Sequence, residues 1–277
     1  MKIPATAYVL TLNSAATLPA CLESLRDFDD ILVLDGNSTD GTREIAERAG
    51  ARVIPQGDDP TPNRRIENFT EVRERAFEAA RHDWIFQLDS DEVALTEVVE
   101  SVREIVSGDD RMTTARFRRL AVVNGRIVRY AYFYPEWCLR LVHRGSGIAW
   151  NRNRAVHERL MLPPDVRVID RSGEILQSWP SLSECRAKDR RYLTLATRPL
   201  MAGDVRIGKI TRAAAVNVAK GFYVAEKIAA IHLARKPDTL PLAYHLRFPA
   251  YHFSFAARLA MLAARRLTTH YSLSTID

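Results

Sequence analysis

An α/β fold is predicted: a mostly parallel sheet flanked by helices, with an antiparallel extension and a helical C-terminal region. Three features predict it. Strand-like and helix-like segments alternate through roughly the first ninety residues, the pattern of a parallel sheet covered on both faces. Beyond residue 112 come three strand-like runs, the first two separated by Asn124-Gly125, a strong hairpin signal. From Pro180 onward the apolar residues recur at helical spacing.

Each element follows from local chemistry. "TAYVLTLN" (6–13) is β-branched and apolar, a buried strand, and "LPACLESLRDF" follows with Leu18, Leu22 and Leu25 on one helical stripe. "DILVLD" (30–35) is a second strand ending in an acid. "DGTREIAERAG" reads as a helix with Asp40 as N-cap and Gly50 as its stop. "ARVIPQ" is a third strand. Residues 64–81 place Ile66, Phe69, Val72, Ala76, Phe77 and Ala80 on one helical face, and "WIFQLD" starts a fourth strand at Trp84. A helix is expected from about Val93. "TTARFRRLAVV", "GRIVRYAYF" and "WCLRLVHR" are strand-like, and "IAWNRNRAVHERLML" is irregular and polar. Ser181 and Glu184 form a capping box for a helix reaching about Arg198, and a longer helix runs from about Gly208 to Arg235. The expected division is a catalytic domain over 1–180, its halves meeting at residue 92, and a helical region over 181–277.

The 277 residues are 47% hydrophobic and 27% charged, which suits a globular protein with a sizeable core. Three scattered cysteines form neither a Cys-x-x-Cys pair nor a His/Cys cluster, which argues against a disulfide framework or a zinc site and for a reducing compartment. The N-terminus lacks a signal-peptide pattern and no apolar run approaches ~20 residues, so a cytoplasmic chain is expected. The net charge of +6 is uneven: from Val205 onward eleven Lys and Arg face three acids, while the preceding part is −2.

The segment "IFQLDSDE" (85–92) puts Asp89, Asp91 and Glu92 where an apolar strand reaches solvent. Like charges so close repel, which calls for solvent, a cation or a catalytic purpose; helix capping is the bland alternative. Asn13, Asp35 and Asp89 all stand at strand carboxyl ends, where ligands bind in sheets of this type. No Gly-x-Gly-x-x-Gly follows any strand, which argues against a nicotinamide enzyme. "TLNSAATLP" lacks the glycine-rich loop and lysine of a nucleotidyltransferase. A scaffold protein without activity leaves the acids at successive strand ends unexplained.

In order and spacing, "TLNS", "VLDGNSTDGT", "WIFQLDSDE", "YPEWCLRLVHR" and "AVHERL" resemble inverting family 2 glycosyltransferases with the GT-A fold, a Rossmann-like sheet, and among them the bacterial lipopolysaccharide-core glucosyltransferase type. The resemblance covers about residues 1–200. It implies that Asp91 is the direct ligand of a divalent metal, Mg²⁺ or Mn²⁺, with Asp89 on the ribose or on the metal through water. It further implies that Asp35 bonds the nucleotide base, that Thr11 and Asn13 line the same pocket, and that Arg73 lies near the diphosphate. Glu158 is the expected base and His157 the metal or phosphate contact, with the two roles exchangeable. Trp150, Asn151 and Arg154 are expected on the acceptor side. Arg140 is expected to support the site by pairing with an acid.

The implied substrates are a UDP-sugar, with glucose as the sugar, and a lipid-linked or lipopolysaccharide-core saccharide. Three places depart from the pattern: Ser14 replaces a glutamate, Glu74 follows Arg73 in place of an asparagine, and Gln177-Ser178 stand where a histidine is expected. In the tail, Arg206, Lys209, Arg212, Lys220 and Lys227 form one stripe, opposite Ile210, Ala214, Val218, Ala225 and Ile228. Such basic amphipathic helices suit an anionic membrane surface, here the cytoplasmic face of the inner membrane. Packing on the catalytic domain and a homodimer interface are the other readings of that tail. Nucleic acid is disfavoured because no recognised module accompanies the charge.

Overall fold

The computed structural model describes residues 1–150, 160–202 and 205–273. The chain divides into two compact units, one of residues 1–122 and 135–178, the other of residues 123–134 and 179–277.

The first unit opens with β1 (Ile3–Thr11), α1 (Leu18–Ser24), β2 (Phe28–Asp35), α2 (Thr42–Arg48), β3 (Arg52–Pro55), α3 (Phe69–Ala79) and β4 (Trp84–Asp89). There follow β5 (Glu92–Ala94), α4 (Thr96–Gly108), β6 (Thr113–Val123), β8 (Glu136–His143), β9 (Ala149–Trp150), β10 (Leu160–Met161) and β11 (Arg167–Ser178), while β7 (Arg126–Ile127) falls in the second unit. The sheet runs β3-β2-β1-β4-β8-β6-β11-β5. Its first four strands are parallel; β8 is antiparallel to β4 and β6, β11 is parallel to β6, and β5 is antiparallel to β11. This is the mixed sheet with a mostly parallel half that the GT-A fold requires.

Because helices cover both faces, β1 is buried along nearly its whole length and its alternate residues enter two different cores. Val9, Val33 and Leu88 pack with Leu18, Leu22 and Leu25 on one face, joined by Val98 and Val102 of α4. Tyr8, Leu10, Leu32, Leu34 and Ile85 pack with Val72 and Ala76 of α3 on the other. Each fully buried Leu, Ile or Phe contributes about 1.5–3 kcal/mol. Chain order places β2 and β4 on opposite sides of β1, so the crevice beyond the β1 carboxyl end is the topological switch point.

Several expected elements differ. No helix begins at Val93: residues 92–94 form β5 against β11, and α4 starts at Thr96 after Leu95 with no side-chain cap. Asp40 accepts from Thr42 N at 3.2 Å, but the capping residue of α2 is Gly41, in the left-handed region. Asn124 and Gly125 both take positive φ, as a two-residue hairpin demands, yet strand geometry after them lasts only two residues. The following aromatics leave the strand because they have a better burial partner: Phe133 stacks on Trp179, with ring centroids 5.9 Å apart, and Tyr132 meets Phe248 at 4.8 Å, all within the second unit.

The second unit holds α5 (Leu182–Ala202), α6 (Ile207–Leu233), α7 (Leu242–His245) and α8 (Arg247–Leu273). The capping box forms as expected, Ser181 N donating to Glu184 Oε2 at 2.9 Å and Glu184 N to Ser181 Oγ at 3.4 Å. Ile210 of α6 is buried with Leu259 and Ala263 of α8. Ile228 is buried as the wheel requires, but Val218 is 40% exposed because it lies past the edge of the packed stripe. Among the described residues no helix is long and apolar enough to cross a membrane.

Two predictions follow from packing. Gly173 has φ +101°, and a Cβ there would lie 2.7 Å from Val98 N. Gly173→Ala therefore forces strain and a backbone shift together, and should cost on the order of 2–4 kcal/mol in urea unfolding. His245 is fully buried, with Nδ1 2.8 Å from His232 Nε2. Burial, and secondarily His232, pushes its pKa down to about 4 from 6.5. The unfolded chain therefore binds the extra proton first, so stability is full above pH 6.5 and declines as pH falls toward 4. His245→Phe should flatten that part of the plot of melting temperature against pH.

Candidate active site

Thr11 and Asp35 are register partners across β1 and β2, and Leu10 pairs with Asp89 across β1 and β4, so three strand ends converge. Asp35 is 3% exposed and its carboxylate accepts three hydrogen bonds: from Thr11 Oγ1 at 2.9 Å, Ser38 N at 2.8 Å and Ser38 Oγ at 2.6 Å. Four lone-pair positions less these three leave one acceptor position on Oδ2. Asn13, at φ +50°, donates its N–H to Ser38 Oγ at 2.8 Å and accepts from Thr39 N on Oδ1 at 3.0 Å. Thr11, Asn13 and Asp35 thus form one network that shapes the turns after β1 and β2.

Beside it lies a cleft of about 260 Å³ lined by Asp35, Gly36, Gln56, Arg64, Ile66 and Val72 among others. Gln56 braces its floor, donating to Thr11 O at 2.8 Å and Leu34 O at 3.1 Å. Gly36 is required by close approach, since a Cβ would meet Arg64 O at 2.6 Å. The cleft is polar at the Asp35 end and apolar along Ile66 and Val72, a combination that suits a flat nucleobase with an imide N–H.

The acidic segment resolves into three roles. Glu92 is fully buried and accepts from Arg140 Nη2 at 2.5 Å, from Arg119 Nη1 at 3.1 Å and, on its other oxygen, from Asp89 N at 3.0 Å. It holds the turn closed and is no metal ligand. Arg119 continues the chain of charges to its register partner Glu136, at 2.6 and 3.1 Å. Asp89, its side chain 35% exposed, lies 3.9 Å from Arg140 Nη1. Asp91, half-buried, accepts from Gln177 Nε2 at 3.2 Å, while its carbonyl accepts from Ser178 N at 2.8 Å. The residue that replaces the expected histidine is therefore in contact with the expected metal ligand. Arg140 pairs with an acid, as the sequence reading requires.

Arg73 is 8% exposed: its Nη1 donates to Tyr8 Oη at 3.1 Å, and its guanidinium lies 5.1 Å over the Trp150 ring. It is not a solvated helix residue. Trp150 is itself buried at 7% and meets Phe77 edge-on at 6.0 Å, so it braces Arg73 and offers no open face to a sugar. Asn151, Arg154, His157 and Glu158 lie outside the described residues. Sequence reasoning missed Arg119, Glu136, Ser38 and Gln56. For the first two, opposite charges on neighbouring strand-like runs were an available signal; for the others there was none. Burial, with the neighbouring Glu92, Asp89 and Asp91 charges, pushes the Cys21 thiol far above its ordinary range, so it is no nucleophile.

Residues 6–141 match the glycosyl transferase family 2 pattern. The chain carries a family 2 glycosyltransferase domain. This glycosyltransferase is 29% identical over 201 residues to the lipopolysaccharide core biosynthesis glycosyltransferase LpsC of Rhizobium meliloti, 70% of either chain. It is 31% identical over 135 residues to glycosyltransferase AglJ of Haloferax volcanii, 45% of this chain and 42% of that one. The solved structure of S. aureus TarS residues 1–349 with UDP aligns at a TM-score of 0.46 and 15% identity, covering 94% of this chain and 90% of that one.

For the glycosyltransferase, Arg140 pairs with Glu92 and lies near Asp89, Arg119 joins Glu92 to Glu136, and Asp91 bonds Gln177 at the strand end. Among the described residues no group of three or more His, Cys, Asp or Glu could hold a metal. What they offer is a pair of carboxylates and an amide, all hard oxygen-bearing groups. That set fits a hard divalent cation of the kind that uses one or two carboxylates and completes its shell with water and substrate phosphate.

Removing one side of the buried pair strands the other charge. Arg140→Met should cost about 3–5 kcal/mol, whereas Glu136→Gln, at the exposed end of the same chain, should cost about 0–1 kcal/mol. Thermal unfolding of the two variants side by side checks this.

Proposed function

We propose that this glycosyltransferase moves a hexose, glucose by resemblance, from a UDP-sugar to a lipid-linked or lipopolysaccharide-core saccharide with inversion at the anomeric carbon. The observation that carries the reading is the convergence of the Asp35 cleft and the Asp89/Asp91 pair on one switch point. The uracil imide N–H donates to the remaining acceptor position of Asp35, and Thr11 and Asn13 hold that carboxylate and its turn in place. Asp89 takes the ribose hydroxyls or a metal-bound water, and Arg73, braced by Tyr8 and Trp150, faces the diphosphate.

Asp91, with Asp89 and His157, would hold Mg²⁺ or Mn²⁺, which when bound offsets the charge that grows on the departing diphosphate. Glu158 takes the proton of the acceptor hydroxyl as its oxygen attacks the anomeric carbon from the face opposite UDP. The new C–O bond forms as the bond to the UDP oxygen breaks, so the electron pair leaves with the nucleotide. Asn151 and Arg154 orient the acceptor. The similarity to LpsC, whose name specifies lipopolysaccharide core biosynthesis, supports the acceptor class. The basic helices of the second unit keep the enzyme on the cytoplasmic face of an anionic membrane, where such acceptors are built.

UDP with Mn²⁺ should raise the melting temperature of the wild type, and chelator should abolish the rise. Asp91→Ala should lose the metal-dependent part. Glu158→Gln should keep the full UDP shift yet lose on the order of 10²–10⁴-fold in turnover. Near-wild-type turnover in Glu158→Gln would remove it as the base, and a UDP shift indifferent to metal would remove the metal.

A further inference from the structure

In the second unit, α5 and α8 enclose a cleft of about 340 Å³ that the transfer reaction does not use. Its α8 wall is cut back because Ala250 and Ser254 are small, and Tyr251 and Ser254 bring hydroxyl donors to it. Arg247 is pinned there by a two-pronged pair with Asp189, Nε to Oδ2 at 2.8 Å and Nη2 to Oδ1 at 2.9 Å, and lies 5.3 Å from the Phe248 ring centroid.

Arg186 and Arg190 line the same cleft, exposed and one turn apart on α5. Like charges at that spacing destabilise a helix by a few tenths of a kcal/mol unless something neutralises them. Among the described residues of α5, α7 and α8 no free acid does. Glu184 is committed to the Ser181 cap and Asp189 to Arg247, and α7 and α8 contain no acid. Three guanidiniums therefore face one carboxylate in a concave site with hydroxyl donors.

Guanidinium forks match the oxygens of a phosphate. Apolar groups stand exposed at and beside the cleft: Leu246 of its lining is 50% exposed, and Leu242, one helical turn before it, is 49% exposed. A free phosphate has no use for such groups, whereas a lipid headgroup brings acyl chains to them.

We propose that the α5–α8 cleft binds the phosphate of an anionic lipid headgroup, with Arg186 and Arg190 as its principal ligands and Leu242 and Leu246 entering the acyl boundary. This rests on the membrane-facing reading of the second unit and supplies its specific site.

The test is co-sedimentation with phosphatidylcholine vesicles with and without phosphatidylglycerol, for the wild type, Arg186→Ala/Arg190→Ala and the charge-matched Lys220→Ala/Lys227→Ala. Binding of the wild type should require the anionic lipid. The arginine pair should lower it roughly 10–30-fold, from about 1 kcal/mol for each basic residue at the surface, and the lysine pair at least threefold less. Equal loss from both pairs would mean diffuse attraction and overturn the cleft while leaving membrane binding intact. Absence of wild-type binding would overturn both. Thermal stabilisation by millimolar inorganic phosphate without vesicle binding would assign the cleft to a soluble phosphate instead. UDP stabilisation, measured on the same samples, confirms folding and reports separately on the donor site.

Discussion

The buried contact between Glu92 and Arg140 is the constraint on which the site depends. Both side chains are almost wholly withdrawn from water, a desolvation cost that one ion pair rarely repays in full. The cost is offset by valence: Glu92 also takes Arg119 on the same oxygen and the Asp89 backbone N–H on the other. The outcome is geometric. With the β4 and β5 ends clamped, Ser90 and Asp91 form a two-residue turn between them. Asp89 and Asp91 are thereby held at the crevice, where the parallel half of the sheet reverses its order.

The same clamp sets the electrostatics. Arg140 and Arg119 pair with Glu92 inside the acid cluster, while Asp89 and Asp91 stand at its outer edge. Gln177 completes that edge. An amide beside Asp91 adds a hard oxygen and two N–H groups without adding charge or a titratable site near neutral pH. A histidine there would introduce both. In the proposed function, a cation at this edge would be held by two carboxylates and by the phosphate of the substrate, which would couple its binding to that of the nucleotide.

The second unit is organised by different physics. Its α6–α8 core is mainly aliphatic, Glu184 is committed to the Ser181 cap and Asp189 to Arg247, and Arg186 and Arg190 of α5 line a cleft. The charge asymmetry of the chain arises in the Arg and Lys residues that follow α5, among them the basic stripe of α6. A catalytic sheet of nearly balanced charge and a basic helical unit are suited to partners of different kinds.

Much of this was legible in one dimension. Apolar runs ending in acids identified β1, β2 and β4, and their alternation with helical stripes implied the parallel half of the sheet, because burial period and chain direction are local properties. Asp35, Asp89 and Asp91 were legible for the same reason, as polar groups at the ends of buried strands. The role of Glu92 was not: it is next to Asp91 in sequence, and only the tertiary fold brings the side chains of Arg119 on β6 and Arg140 on β8 to it. Trp150 was expected on the acceptor side, and an aromatic beside polar residues gives no sign of burial, whereas packing against Phe77 and Arg73 encloses it. Residues 125–133 read as a strand from their alternation, but their aromatics gain more by burial against Trp179 and Phe248. Sequence by itself determined which residues carry charge at the strand ends; tertiary structure alone decided which of those charges are cancelled inside and which remain outside. Cancellation depends on distances between segments some thirty to fifty residues apart, set by strand order and not by neighbours in the chain.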